Sequence, residues 1–389
     1  EGLRVLRIGH PARVNEQSLS KTLDARIAAH ENYKELKQLR KRMEELRSMA
    51  FKFKRKYGHA EKSQRRSLLQ ESKALKADAD VLEFYIVNDL LENSDVITCT
   101  LIGASHPLLR NRQYKTVFID EAAQALEPAC WIPIIRAGRV VFAGDHCQLP
   151  PTIKSREAAS AGLATTLFEK CIQRQPATAT MLQVQYRMHE DIMEFPSRYF
   201  YDSNLVADES VRQATLIPGA QPVEFIDTAG CGFDEAQDPE TLSRYNEEEA
   251  SLVIRQVEQL LETIGASENP HSLGIITPYR AQVDRLTKLM EQSPWYEDIK
   301  SLITINTVDA FQGQERDIIV LGFVRSNDRG EVGFLGDIRR TNVAMTRARK
   351  KLIMIGDSAT LGAHPFYSEL VEYVQHKGFY KSAWELLNG

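Results

Sequence analysis

Apolar residues in the first quarter of the chain recur at alternating spacings of three and four. The first run consists of Leu36, Leu39, Met43, Leu46, Ala50 and Phe53, and a second run continues with Leu68, Leu75, Ala79, Leu82 and Ile86. Such seams are typical of helices that pack along one another. Gly58 and His59 lie between the runs and favour a turn. We therefore expect an antiparallel helical hairpin within residues 18–93.

The pattern changes after Asp95, where short apolar runs alternate with amphipathic stretches. Predicted strands, with one near the start of the chain, are 3–9, 96–100, 116–120, 139–145, 178–184, 223–227, 273–277, 303–307, 318–324 and 351–356. Predicted helices are 131–136, 246–264, 279–292, 337–348 and 366–377. Strands separated by helices favour parallel sheets with helices on both faces. We expect the α/β fold class, with two such parallel-sheet units.

The length and composition of the chain are typical of a soluble globular protein. The 389 residues suggest two or three domains, and 43% hydrophobic and 26% charged residues are ordinary for a soluble globular protein. No run approaches the about 20 apolar residues of a membrane span. The five cysteines are scattered without C-x-x-C spacing, which argues against a zinc site or a disulfide framework and favours a cytoplasmic or nuclear setting. The opening residues, Glu1 to Val5, suggest a cut into a longer chain.

Charge is concentrated in the predicted hairpin. Between Lys34 and Lys76 there are fifteen Lys or Arg residues and five Glu residues, although the whole chain has a net charge of −4. One interpretation is a solvated coiled-coil stalk. The other is a basic arm that contacts a nucleic-acid backbone.

A pair of carboxylates follows the predicted strand at 116–120. The apolar residues Val117, Phe118 and Ile119 lead directly into Asp120 and Glu121. Nucleotide hydrolases use such a strand end to hold Mg²⁺ with one carboxylate and to orient the attacking water with the other. The alternative is a strand that simply ends in two solvated acids.

Three further segments place polar side chains where predicted strands or helices end. Gln148 follows Gly144 and Asp145, Arg187 follows Tyr186, and Arg347 lies near the end of a predicted helix. An amide can sense a terminal phosphate, and a guanidinium can bind phosphate bidentately. Each segment alone could instead pair with surface acids. Their order favours a shared site, because ligands bind at the carboxyl ends of parallel strands.

Taken in order, these segments resemble the motifs of superfamily 1 helicases, in the branch of the nonsense-mediated-decay helicase and the immunoglobulin-mu-binding-protein helicase. The matching segments are DEAA at 120–123, GDHCQLPP at 144–151, QYRMH at 185–189, GIITPYRAQV at 274–283, TVDAFQGQE at 307–315 and NVAMTRAR at 342–349. The resemblance implies two RecA-like parallel-sheet domains, at 1–17 with 94–205 and at 206–389. Residues 18–93 would form an inserted antiparallel helical hairpin.

The resemblance also implies ATP and Mg²⁺ as cofactors and assigns roles to matching residues. Asp120 would hold Mg²⁺, Glu121 would be the catalytic base, and Gln148 would sense the γ-phosphate. Arg187 and Arg347 would clamp that phosphate. The remaining nucleotide contacts would be Tyr186 on adenine, Glu315 on the ribose, and Asp145.

A single strand of nucleic acid is the implied partner, with 5′-to-3′ movement along it. The contacting residues would be Ser105, Pro278, Tyr279, Thr307 and Asp309. DNA and RNA both remain open, and we expect a monomer without a membrane segment.

One motif of the family is missing from this chain. No G-x-x-x-x-G-K-[ST] segment occurs in the 389 residues, and that segment supplies the phosphate cradle, its lysine and a magnesium ligand. We therefore expect an N-terminally truncated first RecA-like domain and no ATP hydrolysis by the chain alone. One alternative is a metal-dependent nuclease that uses Asp120, Glu121 and Asp145, although a nuclease would need no γ-phosphate sensors. The other alternative is a non-catalytic nucleic-acid-binding scaffold.

Overall fold

A computed structural model describes residues 2–9, 16–52, 58–265 and 270–388. The chain divides into two compact units. The first comprises Glu1–Ile119 and Glu127–Val141, and the second comprises Asp120–Leu126 and Phe142–Gly389. The domain boundaries expected from the motifs stay a prediction. Within the described ranges, no helix is both long and apolar enough to cross a membrane.

The first unit contains short strands and the longest helices. Its strands are β1 (Val5–Arg7), β2 (Val96–Thr98), β3 (Val117–Ile119) and most of β4 (Val140–Phe142); its helices are α1 (Glu16–Leu19), α2 (Leu23–Ala28), α3 (Tyr33–Phe51), α4 (His59–Glu92) and α5 (Glu127–Ile134). Strands β1 and β2 pair in parallel. The core of the unit joins β1 to the hairpin helices through Leu6, Leu36 and Ile86.

Helices α3 and α4 form the predicted antiparallel hairpin. The Ser72 hydroxyl donates to the Met43 carbonyl at 3.1 Å, and Arg40 pairs with Glu83 at 2.6 Å, so residues early in one helix meet residues late in the other. The predicted seam residues Leu36, Leu46, Ala50, Ala79 and Ile86 are buried. Phe53 lies outside the described residues. The hairpin prediction is confirmed.

A six-stranded sheet organises the second unit. Its strands are β7 (Val223–Asp227), β10 (Leu273–Thr277), β11 (Ile303–Thr307), β12 (Arg316–Gly322), β13 (Ala348–Gly356) and β14 (Tyr380–Ser382). The spatial order is β11-β10-β12-β13-β7-β14, and every neighbouring pair is parallel. Alternate residues of β12 enter two separate cores, with Ile318 and Val320 in one and Ile319 and Leu321 in the other. Because both faces are covered, the predicted α/β class with parallel sheets is confirmed.

Helices cover both faces of this sheet. They are α9 (Glu247–Ile264), α10 (Arg280–Glu291), α11 (Tyr296–Ile299), α12 (Val308–Phe311), α13 (Arg339–Met345), α14 (Ser358–Leu361), α15 (Pro365–His376) and α16 (Ala383–Asn388). Val253 of α9 and Leu286 of α10 pack into one core, whereas Val343 of α13 and Leu370 of α15 pack into the other. These bounds lie close to the predicted ones, although α13 is shorter because β13 already begins at Ala348.

The rest of the second unit is less regular. It contains α6 (Arg156–Ala158), α7 (Leu167–Arg174), α8 (Glu190–Phe200), the parallel pair β5 (Val184–Gln185) and β6 (Val206–Ala207), and the antiparallel pair β8 (Ala236–Gln237) and β9 (Arg244–Tyr245). A π-helical turn spans Ala159–Leu163, and 3₁₀ turns across the chain span Ile102–Ser105, Pro107–Leu109, Ala122–Gln124, Pro176–Thr178 and Gly333–Gly336.

The predicted strand at 178–184 is wrong. Only its last residue, Val184, belongs to a strand. Pro176 opens a 3₁₀ turn just before the predicted start, and a strand also needs a neighbour with which to exchange backbone hydrogen bonds. The only described partner of β5 is the two-residue β6. Met181 and Leu182 therefore remain exposed despite an apolar pattern that favours a strand.

Candidate functional site

Asp120 and Glu121 directly follow β3 and are exposed. Glu121 has φ 51° and ψ 40°, the left-handed region. An L-residue other than Gly pays a steric cost there, and such residues cluster at functional sites. The local bonds hold this turn, since the Glu121 amide donates to Asp120 Oδ1 at 3.0 Å and Gln124 Nε2 donates to Glu121 Oε2 at 2.6 Å. The strand end thus presents two carboxylates in a fixed, strained turn.

The loop after β4 lies against this turn. The Ala122 amide donates to the Ala143 carbonyl at 2.8 Å. A Cβ atom on Gly144 would lie 3.0 Å from the backbone nitrogens of both Ala122 and Ala123. Only glycine permits this approach without moving the backbone, so Gly144 brings the two loops together.

Asp145 holds the next part of the loop. Its Oδ1 accepts from the Cys147 amide at 2.9 Å, and its Oδ2 accepts from Gln148 Nε2 at 2.9 Å and from the Tyr201 hydroxyl at 2.6 Å. Because the Gln148 amide nitrogen is held by Asp145, its carbonyl oxygen is free to accept from Arg347 Nη2 at 3.3 Å. Asp145 is therefore an orienting group for Gln148.

Arg347 is a buried cation, only 3% exposed. It donates from Nε to the Val343 carbonyl at 3.0 Å and from Nη1 to the Gln314 carbonyl at 3.3 Å. Burial, and then the nearby charge of Arg187, lower the pKa of Arg347 to about 10. The guanidinium is still charged near neutral pH, so the site holds two cations whose mutual repulsion would be relieved by an anion.

Arg187 is held by the same segments that surround Arg347. Its Nε donates to Glu315 Oε2 at 2.6 Å, and its Nη1 donates to the Thr346 carbonyl at 3.1 Å. The neighbouring ring of Tyr186 is 68% exposed and could stack on a planar ligand. Predicted residues of four motifs therefore come together within the second compact unit, and Tyr186 is next to one of them in the sequence. The residues brought together are Asp145, Gln148, Arg187, Glu315 and Arg347.

Two residues that contact this group of side chains, Tyr201 and Asn342, were not predicted from the sequence. The Tyr201 hydroxyl accepts from Asn342 Nδ2 at 3.0 Å while it donates to Asp145, and Asn342 Nδ2 also donates to the Cys147 carbonyl at 2.8 Å. Burial, reinforced by the Asp145 carboxylate, raises the pKa of Tyr201. Asn342 lies in a recognised motif, which was a usable signal, whereas nothing around Tyr201 in the sequence distinguished it.

The predicted nucleic-acid contacts fall in two places. Pro278 and Tyr279 follow β10, and Thr307 and Asp309 lie where neighbouring β11 ends. Ser105 is exposed in the first unit. These five assignments stay predictions.

Two of these side chains already have partners within the chain. Tyr279 is only 5% exposed, its ring stacks on Phe334 with centroids 5.4 Å apart, and its hydroxyl accepts from Arg325 at 3.3 Å. Asp309 accepts from Arg340 at 2.8 Å. A strand bound here would therefore meet the backbone around Tyr279 rather than its ring face.

The residues fit a magnesium-bound polyanion. Among the described residues, the only hydrogen bond to the exposed Asp120 carboxylate comes from the following amide to Oδ1, and a solvent-facing carboxylate oxygen is what Mg²⁺ binds. Asp145 is unsuited to that role, because both of its oxygens accept hydrogen bonds from the chain. Arg187 and Arg347 supply guanidinium donors suited to phosphate oxygens.

Comparisons with known proteins identify the family. Models of two AAA domain families match residues 1–156 and 163–359. The chain is 38% identical over 99% of its length to DNA-binding protein SMUBP-2 of Mesocricetus auratus, covering 39% of that protein. It is 35% identical over 96% of its length to an uncharacterized ATP-dependent helicase of Methanocaldococcus jannaschii, covering 60% of it. A regulator of nonsense transcripts 1 homolog of Neurospora crassa is 37% identical over 74% of the chain, which covers 27% of that relative. The chain thus spans less than two thirds of each of these relatives.

Proposed function

Because the chain belongs to the superfamily 1 helicases, in the branch of the nonsense-mediated-decay and immunoglobulin-mu-binding-protein helicases, we propose that it forms part of an ATP-dependent helicase or translocase. The observation that carries the proposal is the contact between Gln148 and the buried Arg347, with Asp145 orienting the amide. An amide and a guanidinium held together next to a second arginine suit the terminal phosphate of ATP.

We assign the steps of hydrolysis to this chain's residues as follows. Asp120 would hold Mg²⁺, which when bound neutralises phosphate charge. Glu121 orients the attacking water and accepts its proton. Gln148 and Arg347 bind the terminal phosphate. Arg187 joins them only after its ion pair with Glu315 opens, which frees the Glu315 carboxylate for the ribose.

A single strand of DNA or RNA is the proposed partner. Its proposed contacts are Pro278, Tyr279, Thr307 and Asp309 of the second unit and Ser105 of the first, and the proposed movement is 5′-to-3′. A monomer located in the cytoplasm or nucleus remains part of the same proposal.

The basic hairpin is proposed to bind the phosphate backbone. Arg40 and Arg42 are engaged by Glu83 and Glu45. Lys62, Arg66 and Lys73 are exposed on α4, and no described carboxylate lies within ion-pair distance of them. Unpaired surface cations are the groups that neutralise phosphates and release counterions.

Steady-state ATP hydrolysis by the purified 389-residue chain tests the proposal. The sequence contains no P-loop, so we expect background turnover with or without single-stranded DNA or RNA. A protein in which the same chain follows a P-loop segment is expected to hydrolyse ATP, and the strand should stimulate it. Robust turnover by the chain alone would contradict the assigned site, and Mg²⁺-dependent cleavage of the strand without ATP would favour a nuclease.

A further inference from the structure

Phe334 carries an exposed aromatic ring in the 3₁₀ turn Gly333–Gly336, between β12 and α13. The residue is 63% exposed, although the next residue, Leu335, is buried in the core. One side of the Phe334 ring stacks on the buried Tyr279, with centroids 5.4 Å apart and an angle of 28° between the planes. An aromatic ring that is supported on one side and open to solvent elsewhere is suited to stacking on a planar ligand.

The backbone of this turn fixes the position of the ring. Gly333 has φ 57°, and a Cβ atom there would collide with the Arg325 guanidinium and lie 2.6 Å from the Tyr279 hydroxyl. That hydroxyl accepts from the Phe334 amide at 3.4 Å and from Arg325 Nη1 at 3.3 Å. Arg325 is in turn held by a buried ion pair with Glu235 at 2.6 Å. Because these contacts hold the ring before a ligand arrives, little conformational freedom is lost on stacking.

The ring lies beside the predicted strand contacts of the second unit. Tyr279 directly follows Pro278, and the guanidinium carbon of Arg340 lies 5.9 Å from the centre of the Phe334 ring. Arg340 also donates to Asp309 at 2.8 Å. The exposed ring is therefore continuous with the patch that follows the carboxyl ends of β10 and β11.

The charges of this segment favour neither an anion nor a cation. Three acidic and three basic residues lie within 328–340, namely Asp328, Glu331 and Asp337, and Arg329, Arg339 and Arg340. All three arginines form ion pairs with carboxylates of the second unit. The open ring is thus the feature of this segment that is suited to a ligand, and a planar, uncharged group fits it.

We propose that Phe334 stacks on one base of the bound strand, with Tyr279 as the buried support of its ring. The inference rests on the proposed function, because it takes the strand to lie along Pro278 and Asp309. Stacking requires no particular sequence, since every base has a π face. It does require an unpaired strand whose bases can separate from their neighbours. The ring would therefore favour single strands over duplexes, which contacts to phosphates alone do not.

Fluorescence anisotropy of the 389-residue chain with two labelled strands tests the proposal. One strand carries about twelve thymines, and the other has a sugar–phosphate backbone of the same length without bases. Phe334→Leu keeps an apolar side chain but removes the π face, so it should weaken binding of the thymine strand by about fivefold or more. Binding of the abasic strand should change by less than about twofold, because its phosphate contacts remain.

Two further variants separate stacking from a structural effect. Phe334→Trp keeps a π face and should bind the thymine strand within about twofold of the wild type. Trp384→Leu removes another exposed aromatic ring of the second unit, on α16 after β14, which lies at the edge of the sheet opposite β11. This control should leave the binding of both strands unchanged.

A fluorescent base reports the stacking itself. A single 2-aminopurine, whose fluorescence is quenched on stacking, is placed at successive positions of the strand. The wild type should quench it at particular positions, and Phe334→Leu should restore the fluorescence there. If Phe334→Leu weakens both strands equally, weakens neither, or leaves the quenching intact, the stacking proposal is overturned although the chain still binds a strand. Failure of the wild type to bind either strand would contradict the proposed function and this inference with it.

Discussion

The hydroxyl of Tyr201 donates to the carboxylate of Asp145 at 2.6 Å. This bond completes a chain of contacts, because Asp145 orients Gln148 and Gln148 meets Arg347. Asn342, five residues before Arg347 in the sequence, also donates to Tyr201. The phenol therefore connects the loop after β4 to the segment that carries the buried arginine.

Replacing Tyr201 tests this connection. Tyr201→Phe should lower stability by about 1–2 kcal/mol, because the partly buried Asp145 and the buried Asn342 each lose one hydrogen-bond partner. Tyr199→Phe is the matched control, since no hydrogen bond of the Tyr199 hydroxyl is found among the described residues. Urea denaturation of the chain measures both. Equal losses in the two variants would mean that the Tyr201 bonds contribute nothing specific.

The left-handed backbone of Glu121 gives a prediction about strain. Glu121→Gly and Glu121→Ala both remove the carboxylate and its bond to Gln124, but only Gly adopts φ 51° without a steric cost. We expect the Gly variant to be more stable than the Ala variant by up to about 1 kcal/mol, after allowing for its more flexible unfolded chain. Thermal unfolding followed by circular dichroism compares them. A more stable Ala variant would mean that the turn is unstrained.

The proposed phosphate contacts of the basic hairpin predict how strand binding depends on salt concentration. Replacing Lys62, Arg66 and Lys73 by Gln should weaken binding of all single-stranded sequences alike. It should also reduce the slope of log affinity against log salt by about 2. The control replaces Arg174, Arg255 and Lys288, three exposed cations of the second unit, and removes the same charge. If both triple variants change the slope equally, or neither does, the hairpin is a stalk without phosphate contacts.

Glu249 makes the stability of the second unit depend on pH. Its side chain is buried at the start of α9, where both oxygens accept from the Val324 amide at 2.9–3.0 Å. Burial raises the pKa of Glu249 to about 8, opposed by the Val324 hydrogen bond and aided by Asp357. Between the unfolded-state pKa, about 4.3, and pH 8, the unfolded state loses this proton while the folded state keeps it. The contribution of Glu249 to stability is therefore full below that window and falls as pH rises through it.

The variant Glu249→Gln removes this titration. Its free energy of unfolding, minus that of the wild type, should increase from pH 5 to pH 8. Urea denaturation across that range measures the difference. A difference that does not increase would mean that the pKa of the folded carboxyl is not raised above its ordinary value.

The spacing of apolar residues predicted helices and strands correctly where burial of one face decides that spacing. The strand at Leu273–Thr277 and the hairpin seam at Leu36 and Leu46 were predictable because burial alone sets their spacing. The strand predicted at 178–184 was wrong because the only sheet partner among the described residues is the two-residue β6, which pairs with Val184 and Gln185. The sequence motifs also predicted that Gln148, Arg187 and Arg347 belong to one site.

Other features of the site depend on distant contacts. Tyr201 and Asn342 are 141 positions apart, and no periodicity reports such a pairing. The strain at Glu121 is a backbone property that its side chain does not predict, since Glu rarely adopts that conformation. Tyr279 was expected at a binding surface, but its ring is buried against Phe334, because tertiary packing decides the exposure of a loop aromatic.

In the proposed mechanism Glu121 is the base of an ATP-hydrolysing motor, and replacing it by Gln tests that role. In a protein in which this chain follows a P-loop segment, strand-stimulated ATP turnover and ATP affinity are measured for the wild type and for Glu121→Gln. Loss of the base should lower turnover by at least about a hundredfold, while ATP affinity stays near that of the wild type because Asp120 and the arginines remain. Turnover at the wild-type rate in Glu121→Gln would contradict the claim.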